Sequence, residues 1–201
     1  MKTNCFIGLT GGIGSGKSTV SRFWSRYAKL PLIDIDHLCR ELLEVEMPGW
    51  VALKESLGEV YFTPEGPLNR VALRSAIFED DGLRNEVNRL IHPLALDLLY
   101  RKTKEIGPPV LVDVPLLFEA GWDDQFWRTI VVYSDQNTCC SRLVSRDSIS
   151  PKEATKAIVS QMDIWEKAMR ADHVVDNRYG WIHTRRQVAH LDQIIHEDHW
   201  R

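Results

Sequence analysis

Along the chain, short unbroken apolar runs bounded by turn residues alternate with longer segments whose apolar positions recur every three or four residues. The runs suit strands buried on both faces, and the periodic segments suit helices laid against them. Their alternation predicts a doubly wound parallel sheet built from βαβ units. Strands are expected at 5–10, 31–34, 109–114, 129–133 and 173–175. After the first of these, Val20, Phe23, Trp24 and Tyr27 fall at i, i+3, i+4 and i+7, the stripe of a helix that packs on a sheet. Ser150-Pro151-Lys152-Glu153 joins an N-cap Ser, a Pro at the first helical position and a capping-box Glu. The stripe Ala154, Ile158, Met162, Trp165 and Met169 then predicts one helix of about four turns, with Trp165, like Trp24, in the core. A last stripe, Val188, Leu191 and Ile195, predicts a C-terminal helix.

Seventy-two residues separate Asp36 from Pro109, whereas a crossover helix needs only about 10 to 15. Something else is therefore inserted there. Within it, Val87, Leu90, Ile91, Leu94 and Leu98 mark a helix that Pro93 should kink or divide after His92.

At 201 residues the chain suits a single domain that buries a core without disulfide or metal staples. Its 25 basic and 28 acidic residues leave a net charge of −3, which argues against a protein that wraps nucleic acid by bulk positive charge. Cys5, Cys39, Cys139 and Cys140 show neither C-x-x-C nor zinc spacing and read as free thiols of a reducing compartment. No membrane span and no signal peptide is apparent, so a cytoplasmic location is expected. The cluster His196-Glu197-Asp198-His199 reads as a solvated face rather than a metal site.

The sharpest chemical signal is Gly11-Gly12-Ile13-Gly14-Ser15-Gly16-Lys17-Ser18, which satisfies G-x-x-x-x-G-K-[ST] between an expected strand and an expected helix. Glycines let backbone N–H groups curl around phosphate oxygens. A helix beginning near Lys17 presents its positive end, Lys17 reaches the β- and γ-phosphates, and the Ser18 hydroxyl suits Mg²⁺. A GTPase would add D-x-x-G and N-K-x-D, but Asp113 is followed by Val114-Pro115-Leu116 and Asn177 by Arg178-Tyr179-Gly180.

Asp34 and Asp36 close the second expected strand, where extended backbone would turn both side chains to one face. The carboxyl ends of parallel strands line the ligand crevice. Asp36 there suits a general base, a Mg²⁺-positioning group or the N-cap of the following helix. Asp113 ends the run Val110-Leu111-Val112 and resembles a Walker B carboxylate, with strand-end solvation as the plainer alternative. Arg142 and Arg146 stand one helical turn apart before a Ser- and Pro-containing loop. They suit a lid closing on phosphates or adenine, or else an ordinary solvated face.

Taken together, the P-loop with Gly8-Leu9-Thr10, Asp34-Ile35-Asp36 with Arg40, Leu90-Ile91-His92-Pro93, Pro115-Leu116-Leu117-Phe118-Glu119, Arg142 with Arg146-Asp147, Gln161 with Lys167, and Ala171-Asp172 with Asn177 resemble the dephospho-CoA kinase family. The resemblance implies a P-loop NTPase fold, three-layer α/β/α with a five-stranded parallel sheet. It also implies a helical acceptor-binding insertion over 37–108 and a small lid over 143–157. The implied reaction moves the γ-phosphoryl of ATP to the 3′-hydroxyl of dephospho-CoA, the last step in making coenzyme A. By the same resemblance, Asp36 is the base. Gly12, Ile13, Gly14, Ser15, Gly16, Lys17, Ser18 and Thr19 bind ATP, with Ser18 holding Mg²⁺, and Arg142 and Arg146 close over the nucleotide. Arg40, His92, Pro115, Leu116 and Glu119 then line or support the acceptor site. The implied partners are two small molecules, ATP and dephospho-CoA, with no nucleic acid or membrane, for a monomer or small homo-oligomer. Where the family usually carries Gln three residues before Arg142, this chain has Cys139, and Gln136 lies one turn earlier. Another small-molecule kinase, or a nucleotide-sensing module without phosphotransfer, is the rival reading.

Overall fold

The computed structural model describes residues 5–199 and divides the chain into two compact units, Met1–Asp34 with Gly107–Arg201, and Ile35–Ile106. In the first unit, β1 (Phe6–Gly11), β2 (Leu32–Asp34), β3 (Val110–Asp113), β4 (Arg128–Tyr133) and β5 (His173–Asp176) form one sheet in the order β2-β3-β1-β4-β5. Every neighbouring pair is parallel, in registers that include Asp34↔Asp113, Leu9↔Asp113 and Leu9↔Ile130. The expected P-loop α/β architecture is therefore present, with strand ends displaced by at most one residue.

The apolar runs are continuous because the central strands have no solvent face. Ile7, Leu9, Leu111, Ile130 and Val132 pack with Val20 and Trp24 of α1 (Lys17–Ala28) and with Val188, Leu191 and Ile195 of α9 (Trp181–His199). On the opposite side of β1, a Cβ on Gly8 would lie 2.8 Å from Leu117 and Phe126, so the segment after β3 packs directly on the strand backbone. Because all five strands run the same way, Gly11, Asp34, Asp113, Tyr133 and Asp176 end at one edge of the sheet.

The second unit comprises α2 (Ile35–Leu42), α3 (Pro48–Leu57), α4 (Arg70–Glu79) and α5 (Asp81–Ile106). Leu53, Leu68, Leu73 and Ile91 form its buried centre, with Trp50, Phe62, Val87 and Leu90 packed around them. Helix α5 is not divided at Pro93 and runs unbroken for 26 residues. The imide nitrogen of Pro93 removes one rung of the hydrogen-bond ladder, but Ile91, Ala95 and Leu99 stay buried on both sides of it and α2, α3 and α4 all pack against the helix.

The expected four-turn helix from Ala154 to Met169 is instead two helices, α7 (Pro151–Val159) and α8 (Ile164–Arg170). Competing hydrogen bonds cause the break. Asp163 caps α8 by accepting from Trp165 N at 2.8 Å, the Met162 N–H donates to Glu119, and the Gln161 side chain is taken by the loop after β1. The new phase leaves Trp165 and Met169 exposed, with Trp165 edge-on to Tyr133, so Trp165 is not a core residue. The capping box at α7 forms as its residues require: Ser150 Oγ accepts from Glu153 N at 3.2 Å, and Glu153 Oε2 accepts from Ser150 N at 2.8 Å. All four cysteines are free, and no helix among the described residues is long and apolar enough to cross a membrane. His196 and Glu197 are exposed on α9, whereas the side chains of Asp198 and His199 lie outside the described residues.

Candidate active site

The glycine-rich segment leaves β1 and turns into α1 through two residues in left-handed backbone, Gly14 at φ +80° and Gly16 at φ +90°. A side chain is strained at either φ, and here it would also collide. A Cβ on Gly14 would meet the Cys139 carbonyl oxygen at 2.8 Å, and one on Gly16 would meet Asn177 Nδ2 at 2.3 Å. Inside the loop, Ser15 N donates to Gly12 O at 3.0 Å, and the Gly16 carbonyl starts the helix by accepting from Thr19 N and Val20 N. Ser18 and Thr19 are solvent-exposed at the positive end of α1.

Lys17 Nζ donates to Asp113 Oδ1, and Ser21 Oγ donates to Asp113 Oδ2 at 2.9 Å. The parallel register that places Asp113 level with Leu9 brings this carboxylate beneath the loop, where it is 3% exposed. Strand-end solvation does not describe it. A buried carboxylate at this place holds the ammonium of Lys17 and a helix hydroxyl, so the charge of Lys17 is neutralised and its side chain is held in the site.

Arg142 of α6 (Gln136–Asp147) neither faces solvent nor extends freely. Its guanidinium donates to Gly14 O at 3.3 Å, Ser15 O at 3.0 Å, Ser134 Oγ at 3.4 Å and Asn177 O at 2.8 Å. It thus braces the carbonyl side of the loop. Arg146, one turn on, forms a fork with its neighbour Asp147 at 2.7 Å, and the guanidinium holds that carboxyl below the usual range. Cys139 is 4% exposed and supplies the backbone on which Gly14 rests; burial pushes its thiol pKa up.

A second brace reaches the loop from the α7–α8 junction. The Ile13 N–H donates to Gln161 Oε1 at 2.8 Å. Glu119 holds that junction, since its Oε1 accepts from Met162 N at 3.2 Å and lies 2.6 Å from Lys167 Nζ. Lys167 is fully buried, and its ammonium is paired with this carboxylate as charge with charge. Nearby, Pro115 O accepts from Thr10 Oγ1 at 3.1 Å, while Leu116 is 45% exposed.

In the helical unit, Asp36 is not in extended backbone alongside Asp34 and does not precede a helix as its N-cap. Strand β2 stops at Asp34, and Asp36 lies in the first turn of α2, where the helix dipole favours a carboxylate. Arg40 follows it by one helical turn, so the two share a face of α2, and both are exposed. His92 is half-buried on α5, which packs against α2, and burial lowers its pKa.

The structure thus gathers the P-loop, Asp113, Arg142, Glu119, Gln161 and Asn177 in one unit and Asp36, Arg40 and His92 in the other. Gln161, Lys167 and Asn177 stand in the sequence motifs without a role, and their positions along the chain are the only signal they give. Their contacts are tertiary: Gln161 bonds 148 residues back and Asn177 162 residues back. Hard oxygen ligands suited to Mg²⁺ are present in the Ser18 hydroxyl and the Asp113 carboxylate. An ion that takes its other ligands from phosphate and water needs no larger cluster, and no group of three or more His, Cys, Asp or Glu able to hold a metal is found among the described residues.

The family model for dephospho-CoA kinase (CoaE) matches residues 5–181. The dephospho-CoA kinase of Symbiobacterium thermophilum is 39% identical over 186 residues, covering 90% of this chain and 77% of its own. That of Geobacter sulfurreducens is 41% identical over 178 residues, covering 85% and 88%. The crystal structure of TT1252 from Thermus thermophilus superposes with a TM-score of 0.82 at 29% identity, covering 96% of this chain and 97% of that one. With a family match spanning nearly the whole described chain and every motif carried on the elements that the fold requires, this chain belongs to the dephospho-CoA kinase family.

Proposed function

We propose that this protein transfers the γ-phosphoryl group of ATP to the 3′-hydroxyl of dephospho-CoA, giving coenzyme A and ADP, the final step of coenzyme A synthesis. The observation that carries the reading is the phosphate loop, with its two left-handed glycines, Lys17 held against Asp113 and its carbonyls braced from outside by Arg142. Such a loop offers preorganised amides and an ammonium to a polyphosphate.

When ATP binds, Lys17 exchanges part of its interaction with Asp113 for the β- and γ-phosphates, and the loop from Gly12 to Thr19 holds the phosphate oxygens through the amides that face its concave side, Gly16 N–H among them. Mg²⁺ supplies charge neutralisation on those oxygens, and Ser18 and Asp113 are the groups that would hold it. In the transfer, the acceptor oxygen forms its bond to Pγ while the bond from Pγ to the ADP oxygen breaks, and the acceptor hydroxyl proton passes to the Asp36 carboxylate. Arg40 on the same face of α2, with His92, Pro115, Leu116 and Glu119, lines or supports the acceptor site. The helical segment 37–108 binds dephospho-CoA, and the segment 143–157, which carries Arg146, closes over ATP with Arg142 and keeps water from the transferring group. The protein works in the cytoplasm on two small molecules, as a monomer or small homo-oligomer.

The test is ADP release with Mg²⁺-ATP in the presence and absence of dephospho-CoA, beside a panel of adenosine and nucleoside monophosphates. Dephospho-CoA should be the acceptor that drives ADP release. Equal stimulation by the panel would point to another small-molecule kinase, and ATP binding without acceptor-dependent release would point to a sensing module.

A further inference from the structure

We infer that Asn177 and Thr184, neither of which carries a role in the motif reading, are positioning residues that set the phosphate loop for ATP, with Thr184 acting through Asn177. The inference rests on the loop being an ATP site and does not depend on the acceptor.

Asn177 follows β5, and four hydrogen bonds converge on it. Its Nδ2 donates to Ser15 O at 2.7 Å, and its Oδ1 accepts from Thr184 Oγ1 at 2.8 Å. Its backbone N–H donates to Tyr133 O at 2.8 Å, and its carbonyl accepts from Arg142 at 2.8 Å. The Ser15 carbonyl can only accept, so the orientation of the carboxamide is determined: the nitrogen faces the loop and the oxygen faces Thr184. Asn177 is 7% exposed and Thr184, in the first turn of α9, is fully buried, so no solvent replaces either contact.

The consequence for ATP follows from the geometry of the peptide. In a planar trans peptide the C=O and N–H point in opposite directions. Holding the Ser15 carbonyl outward against Asn177 and Arg142 therefore turns the Gly16 N–H toward the concave side of the loop, where a phosphate oxygen would lie. The contact is tight enough that Nδ2 occupies the space a Gly16 Cβ would need. Without the Thr184 hydroxyl, Oδ1 is a buried acceptor lacking its partner, and the carboxamide is free to swing from Ser15.

The experiment is isothermal titration of Mg²⁺-ATP, with steady-state kinetics alongside, on wild type, Thr184→Val and Thr184→Ser. Valine keeps the shape and removes the donor; serine keeps the donor. Thr184→Val should weaken ATP binding about tenfold, raise the KM for ATP in step, and leave the KM for dephospho-CoA unchanged, while Thr184→Ser stays near wild type. Unchanged ATP affinity in folded Thr184→Val would overturn the inference, and so would Thr184→Ser binding as weakly as Thr184→Val. Should Thr184→Val not fold, Asn177→Asp, which puts an acceptor against the Ser15 carbonyl, must weaken ATP binding at least as much, or the inference fails. A wild type that binds ATP but shows no dephospho-CoA-dependent turnover would sink the acceptor assignment and leave the titrations as the test of the loop.

Discussion

Replacing Glu119 with Ala should destabilise the protein by leaving Lys167 charged and alone in the interior. The Lys167 side chain is 0% exposed and that of Glu119 is 22% exposed, and their charged atoms are 2.6 Å apart. Removing one member of a buried pair costs about 3–5 kcal/mol, because the desolvated charge that remains has no compensation. The Met162 N–H also loses its acceptor, but it lies near solvent and water replaces the bond at little cost. For a protein of this size about 1 kcal/mol moves Tm by roughly 2–4 °C, so the expected fall is about 6–20 °C. The double variant Glu119→Ala/Lys167→Met should recover most of that loss, since replacing both charges of a buried pair by apolar groups is often neutral. Thermal melts and urea titrations of wild type, Glu119→Ala and the double variant at pH 7 provide the measurement. A fall below about 3 °C in Glu119→Ala, or a double variant no more stable than the single one, would refute the reasoning. The same proteins separate this anchoring role from the acceptor contact that the sequence resemblance implies for Glu119. A lost contact would raise the KM for dephospho-CoA with Tm intact.

Two further outcomes are expected. Asp36→Asn should lower kcat about 100-fold or more with little change in ATP affinity, since a positioned base acts in the transition state and not in nucleotide binding; wild-type turnover in a dephospho-CoA assay would remove Asp36 as the base. His92, whose pKa burial depresses from 6.5, makes folding pH-dependent. The unfolded chain binds the proton first, so the stability present above about pH 6.5 declines as the pH falls toward the folded value. Tm measured from pH 7.5 to 5.5 should fall less steeply in His92→Asn, and parallel slopes would contradict that.

Much of this molecule is legible in the sequence because the relevant forces are local. Apolar runs without polar interruption mark strands that have no solvent face. Ser150 and Glu153 cap the helix they flank. Gly14, Gly16, Lys17 and Ser18 announce a phosphate loop because no ordinary turn needs that combination. Where a local pattern misled, a distant partner had outbid it. The helical period through Met162 holds for the side chains, but Glu119 and the loop after β1 claim the backbone and side-chain groups at the break, and Trp165 turns to solvent as a result. Pro93 is tolerated because three helices pack along α5 and compensate for one missing bond.

The sequence by itself determined which groups carry charge and which backbone can bend around a phosphate, since both properties reside in single residues and their neighbours. Only the tertiary structure decided what holds that backbone in place. The parallel register delivers Asp113 beneath Lys17, and the turn after β5 delivers Asn177 to Ser15. Arg142, which the motif alone would send to the nucleotide, also grips the loop's carbonyls. Peptide groups can be held in a chosen orientation only by partners on both sides, and those partners lie about a hundred residues away or more.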